Sequence, residues 1–237
     1  MPKHTNKQFD IDLKHICSQF LQMGEIVKVM IDDAIEALVN RDMNLVNIVR
    51  DHEKKVNRYE VEIDEQISYI LVRHQPTAID LRMLLAVSKM LTDMERSGDE
   101  AEKVANAAYR IHGIYGSEFY NRVPTTEIRK MAGNARLMLK RTLDAFIRLD
   151  PIQAAEVVRS DKEVDKEWKG TLFNLIACMI EDRRAISRAT NMIFIARALE
   201  RIGDHAKNMS ERVIYMVKGA DVRHTGIKNT ERLAREG

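Results

Sequence analysis

The sequence predicts an all-α protein built as two tandem three-helix bundles related by internal duplication, six long antiparallel helices in all. Three observations carry that prediction. Glycine, proline and aromatic residues are sparse while Met, Leu, Ile, Ala, Glu, Lys and Arg are plentiful, a composition that favours helix over strand. Helix punctuation falls at only a few places, which divide the chain into six segments of about 30 residues each. The segments also repeat. At an offset of 108 Met23 falls on Met131, Met30 on Met138, Asp42 on Asp150 and Val56 on Val164. Further along the offset shortens to 105, and Glu95, Arg96, Gly98 and Asp99 fall on Glu200, Arg201, Gly203 and Asp204.

The first helix is expected to stop at "NRDM" near Asp42, and the second at "HQPT" near Pro76. There Thr77 and Asp80 have the spacing of a capping box for the third helix. The third helix runs to the link "GIYGSEFYNRVPT", Gly113 to Thr125. The fourth reaches "LDP", where Asp150 supplies an N-cap and Pro151 the first helical position of the fifth. "EDRRAI" near Asp182 separates the fifth from the sixth. Helices of about 30 residues would be roughly 45 Å long, and short connections make neighbours antiparallel. The division falls at the long link: residues 1–117 form the first three-helix repeat, and 118–237 the second with a short C-terminal tail.

Several function classes are excluded by composition. Apolar runs such as "MLLAV" from Met83 and "NMIFIA" from Asn191 fall far short of the ~20 residues of a membrane span. "MPKHTNKQFD" offers no apolar stretch of signal-peptide length, so a cytoplasmic location is expected. With 38 basic against 36 acidic side chains, nothing attracts nucleic acid. Cys17 and Cys178 lack Cys-x-x-Cys spacing and read as small core residues. The thirteen methionines read as gap-filling core and Trp168 as a packing anchor. No nucleophile elbow, phosphate-cradling glycine loop or His-x-x-x-His pair is present, so the chain is not expected to be an enzyme.

The candidate site is a set of carboxylates. Residues four apart share a helix face, so Glu95 projects with Asp99 on the third helix and Glu200 with Asp204 on the sixth. The second helix of each half adds a pair at the same spacing, Glu53 with Asn57 and Asp161 with Asp165. A single acidic pair beside an arginine such as Arg96 or Arg201 is ordinarily a solvated, salt-bridged face. Two copies at matching repeat positions, each with a glycine and a second-helix partner, point instead to a carboxylate cluster that needs a cation or protons, and metal binding is one way to meet that need. Oxygen-only ligands suit iron, manganese or magnesium rather than structural zinc. Di-iron carboxylate enzymes add a Glu-x-x-His motif that these helices lack. His205 follows Asp204 without a counterpart, since Glu100 holds the equivalent position. Gly98 and Gly203 each cost about 1 kcal/mol relative to alanine, a duplicated cost that suggests close approach of a neighbouring helix or a metal-bound water. A metal-dependent hydrolase, a metal-storage protein and a non-catalytic adaptor all remain open at this level.

The paired "ERSGDEAEKVA" and "ERIGDHAKNM", the segment "RHQPTAIDLR" from Arg73 and the closing "YMVKGADVRH" from Tyr215 resemble the PhoU family over nearly the whole chain. The resemblance implies two pseudo-symmetric three-helix bundles with multinuclear metal sites, commonly in a homodimer. It places the metal ligands on Glu53, Glu95, Asp99, Asp161, Asp165, Glu200 and Asp204, with Asn57 departing from the acidic pattern and so weakening the first-half site. It also implies a cytoplasmic negative regulator of the phosphate-starvation response. Such a protein links the ATPase-driven, phosphate-specific ABC transporter to a membrane sensor histidine kinase.

Overall fold

The computed structural model describes residues 7–115 and 125–236, so "MPKHTN" and most of the Gly113–Thr125 link lie outside the described residues. Within them the order is α1 (Lys7–Asn40), α2 (Met43–His74), α3 (Ala78–Tyr115), α4 (Thr125–Arg148), α5 (Pro151–Glu181), α6 (Ile186–Lys218) and α7 (Ile227–Arg235). The six long helices are the expected ones. The tail adds the short α7, and a 3-10 turn at Arg183–Ala185 precedes α6.

Local chemistry sets the boundaries. Buried Phe9, Leu13, Ile16, Phe20, Met23, Val27, Met30 and Ala34 recur three and four residues apart, which fixes the inward face of α1. Asp42 caps α2 by accepting from the Asn44 N–H at 2.9 Å. Asp150 caps α5 by accepting from Ile152 and Gln153 N–H at 2.9 and 3.0 Å, with Pro151 behind it. The residue before each cap is left-handed, Arg41 at φ 59° and Leu149 at φ 53°, so the turn itself is repeated. α6 ends where Gly219, at φ 74°, donates its N–H to the Tyr215 carbonyl at 2.8 Å.

Within each half the three long helices pack on one another, and the halves meet where α3 lies along α6 and α1 crosses α4. One continuous core results. Phe20 meets Phe146 edge-on at 5.3 Å, and a Cβ on Gly24 would lie 2.7 Å from Leu143 Cδ1. Polar contacts also tie the halves: Arg136 to Asp32 at 2.7 Å, Arg201 to the buried Glu100 at 3.2 Å, and His205 Nδ1 to Asp93 at 2.9 Å. Met23, Met30, Met90, Met94, Met131 and Met138 are buried as expected of gap-fillers. Trp168 packs against the core, with the Arg197 guanidinium 5.9 Å above its ring. Cys17 and Cys178 lie at the core margin rather than inside it, both half-buried, and burial pushes the Cys17 thiol up to about 11.

Candidate metal centre

Each half builds its site at a close helix contact. A Cβ on Gly98 would lie 3.2 Å from Val56 Cγ1, and one on Gly203 would lie 3.4 Å from Val164 Cγ1. Val56 and Val164 are themselves repeat equivalents and both are buried. The glycines therefore admit a neighbouring helix, and each valine is flanked by the ligand-type residues of its own helix. Close approach sets Glu53 and Asn57 opposite Glu95 and Asp99, and Asp161 and Asp165 opposite Glu200 and Asp204.

In the second half, oxygens of Asp161, Asp165 and Asp204 all lie within 4.8 Å of one another. Glu200 adjoins them and is only 6 % exposed. One of its oxygens accepts from Arg197 at 2.5 Å, while Oε2 is buried without a partner. Burial pushes the Glu200 carboxyl up to about 7; Asp204, Asp165 and Asp161 add to the rise and Arg197 opposes it. Asp204 is raised by burial first, then by Asp161 and Asp165, against Lys207. The Lys207 ammonium donates to Asp161 Oδ2 at 2.6 Å. Burial works against that charge, but the bond to Asp161 outweighs it and lifts the lysine above its ordinary value.

The first half carries a looser, more acidic version. Glu53, Glu95 and Asp99 share the α2–α3 contact, but among the described residues only the second-half trio brings three such oxygens within 4.8 Å. The exposed Asn57 donates its amide to Glu53. Burial raises Glu53, with Glu102 and Asp99 adding and the Asn57 bond opposing. Burial also raises Glu95, followed by Asp99 and Glu60. Glu60 is raised by burial, then by Asp64 and Asp99.

Glu60, Lys207 and Arg197 are site residues that spacing alone did not single out. Glu60 lies seven residues after Glu53, on the same helical face, so periodicity carries that signal. His205 turns to α3 rather than to the cluster. Arg201 serves Glu100 of the other half instead of its own Glu200. Hard oxygen donors, one orphaned buried carboxylate oxygen and mutually raised carboxyls suit an oxygen-seeking di- or trivalent cation.

Two repeats of a three-helix unit, each with acidic residues at the contact of its second and third helices, define a duplicated helical-bundle protein. Residues 20–108 and 128–213 each match the PhoU domain, and the chain belongs to that family. It is 42 % identical over 224 residues to a phosphate-specific transport system accessory protein PhoU homolog of Pseudomonas aeruginosa, covering 94 % of this chain and 91 % of the relative. The Escherichia coli accessory protein PhoU is 36 % identical over 231 residues, 98 % of this chain and 94 % of the relative. The fold superimposes on the crystal structure of PhoU from P. aeruginosa with a TM-score of 0.85 at 42 % identity, over 90 % of this chain and 100 % of that one. The Streptococcus pneumoniae phosphate transport system regulatory protein PhoU shares the fold, with a TM-score of 0.81 at 23 % identity over 90 % of this chain and 99 % of that one.

Proposed function

We propose that the chain is the cytoplasmic negative regulator of the phosphate-starvation response, an adaptor between a phosphate-specific ABC transporter and a membrane sensor histidine kinase. The observation that carries this reading is the match of both halves to the PhoU domain, together with relatives named as transport accessory proteins at 36–42 % identity. The adaptor is a non-catalytic homodimer that contacts the transporter through its ATPase subunit and reaches the membrane only through partners. No described helix is long and apolar enough to cross a membrane, which fits that role. Residues 1–117 and 118–237 serve as its two repeat domains. Regulation then requires that the chain bind two partner states with different affinity.

Iron, manganese or magnesium is held by Asp161, Asp165, Glu200 and Asp204 in the second half and by Glu53, Asn57, Glu95 and Asp99 in the first. The orphaned Glu200 oxygen and the three converging aspartates support the second site. An amide at Asn57 makes the first a weaker one. A cation there would cross-link α5 to α6, or α2 to α3, and hold the surface that partners read.

The deciding experiment is alkaline-phosphatase reporter output in phosphate-replete cells of the source organism. High output on deletion, restored to low by the intact chain, supports repression; low output on deletion removes the adaptor reading. Joint replacement of Glu200 and Asp204 by alanine is expected to raise output with the protein still folded. Unchanged repression would make the second cluster irrelevant to signalling.

A further inference from the structure

We propose that Lys207 is a tethered cation that competes with metal for the second-half carboxylate cluster, and that Glu211 receives it when metal arrives. This rests on the reading that Asp161, Asp165, Glu200 and Asp204 bind a cation. The Lys207 ammonium sits on Asp161 at 2.6 Å, and the Asp161 side chain is only 7 % exposed. Asp161 is one of the three aspartates whose oxygens converge within 4.8 Å. A metal ion that recruits Asp161 therefore meets a positive charge already bonded to its ligand. Two cations on one shielded carboxylate repel strongly, so the ammonium has to leave.

A destination is built beside it. Lys207 and Glu211 are one helical turn apart on α6, the spacing at which side chains of opposite charge meet. Both line a cleft of about 400 Å³ between α5, α6 and the start of α7, with His224 and Thr230 across from them. The Glu211 carboxylate is half-buried and accepts no hydrogen bond among the described residues. Burial raises it, and Lys207, Arg212 and His224 pull it back towards the charged form. The side chain can thus swing from Asp161 on the neighbouring helix to Glu211 on its own, through open space.

The device belongs to one half only. At the 105-residue offset Lys207 falls on Glu102, so the first half has an extra carboxylate where the second has a cation. Glu102 acts on Glu53 as an added negative charge. Asp161 is thereby paired without metal while Glu200 Oε2 is not, and metal must displace Lys207 to recruit Asp161. Occupancy of the second cluster responds to a higher metal concentration than the four acidic ligands alone would set.

The test is Mn²⁺ titration by calorimetry of the full chain, with the first-half cluster silenced by Glu95→Ala and Asp99→Ala. Lys207→Met is expected to tighten Mn²⁺ binding by about tenfold or more, the scale of one charge-assisted hydrogen bond. Glu211→Gln is expected to weaken it severalfold, and to have no effect once Lys207→Met is present. Thermal melting checks that each variant is folded. Unchanged or weaker binding in Lys207→Met, with binding still abolished by Asp161→Asn, would overturn the tethered cation while leaving the cluster intact. Absence of Mn²⁺ binding to every variant, the parent included, would instead remove the cluster reading and this inference with it.

Discussion

Replacing Gly98 and Gly203 separately by alanine tests the geometry that brings the carboxylates together. In a helix interior each substitution should stabilise by about 0.8–1.0 kcal/mol through backbone propensity. The new methyl decides whether that gain survives. At Gly203 it would lie 3.4 Å from Val164 Cγ1 and 3.7 Å from Met138 Sδ, ordinary contacts, so most of the gain should remain. At Gly98 it would lie 3.2 Å from Val56 Cγ1. Val56 is fully buried and β-branched, with little freedom to rotate away. Overpacking of that kind costs about 1–3 kcal/mol. Gly203→Ala is therefore expected to stabilise by roughly 0.5–1 kcal/mol, and Gly98→Ala to be neutral to about 2 kcal/mol destabilising. For a chain of this size, 1 kcal/mol corresponds to about 2–4 °C in Tm. Thermal melts of EDTA-treated proteins would read the difference, and Val56→Ala should relieve Gly98→Ala in a double-mutant cycle. A Gly98→Ala protein stabilised as much as Gly203→Ala would refute the tighter α2–α3 contact.

Asp150→Ala removes the acceptor for two N–H groups at the start of α5 and should cost about 1 kcal/mol; urea denaturation giving no loss would mean Pro151 and Leu149 set the turn unaided. Glu200 supplies a pH signature. Its folded pKa of about 7 lies above the ordinary 4.5, so the folded state binds the proton more tightly. That stabilisation is fully present below about 4.5 and is lost as pH rises through about 7. Metal-free parent protein should therefore lose stability across that window relative to Glu200→Gln, and a constant difference between the two would contradict the assignment.

How much could be read in advance follows from which forces are local. The six long helices were legible because 3.6-residue periodicity, Asp42, Asp150 and the Pro151 start act within a few residues. The repeat was legible because Val56 and Val164 occupy equivalent positions. α7 was not: its nine residues are few and mostly polar, and its place against α5 depends on residues far earlier in the chain, such as Arg159, whose guanidinium donates to Glu231 at 3.1 Å. The ligand-type pairs could be seen because each lies on a single helix. Which of them converge depends on a backbone approach decided by Gly98 and Gly203, together with the size of the valine opposite. The pairing of Lys207 with Asp161, and of Arg201 with Glu100, joins residues 46 and 101 positions apart. No local pattern separates such a lysine from an ordinary solvated one.

Divergence between the repeats is where their chemistry differs, because the scaffold around both sites is so nearly the same. Four positions of the pattern differ in charge: Asn57 becomes Asp165, which adds a carboxylate to the second half, while Glu60 becomes Trp168, Glu100 becomes His205 and Glu102 becomes Lys207, which remove three. The first half disperses its acidity over many half-exposed groups, among which Glu53, Glu60 and Glu95 are each raised by burial and then by Asp99 together with other neighbouring carboxylates. The second half gathers three aspartates tightly and sets Arg197 and Lys207 against them. On the proposed reading, metal takes Asp161 only by outcompeting the lysine already paired with it. α3 packed along α6 joins the two clusters through the Glu100–Arg201 and Asp93–His205 contacts. If both halves bind metal, loading of one would be felt at the helix pair that carries the other, a coupling measurable as a change in second-site Mn²⁺ affinity on Glu95→Ala with Asp99→Ala that disappears when Arg201 is replaced by methionine.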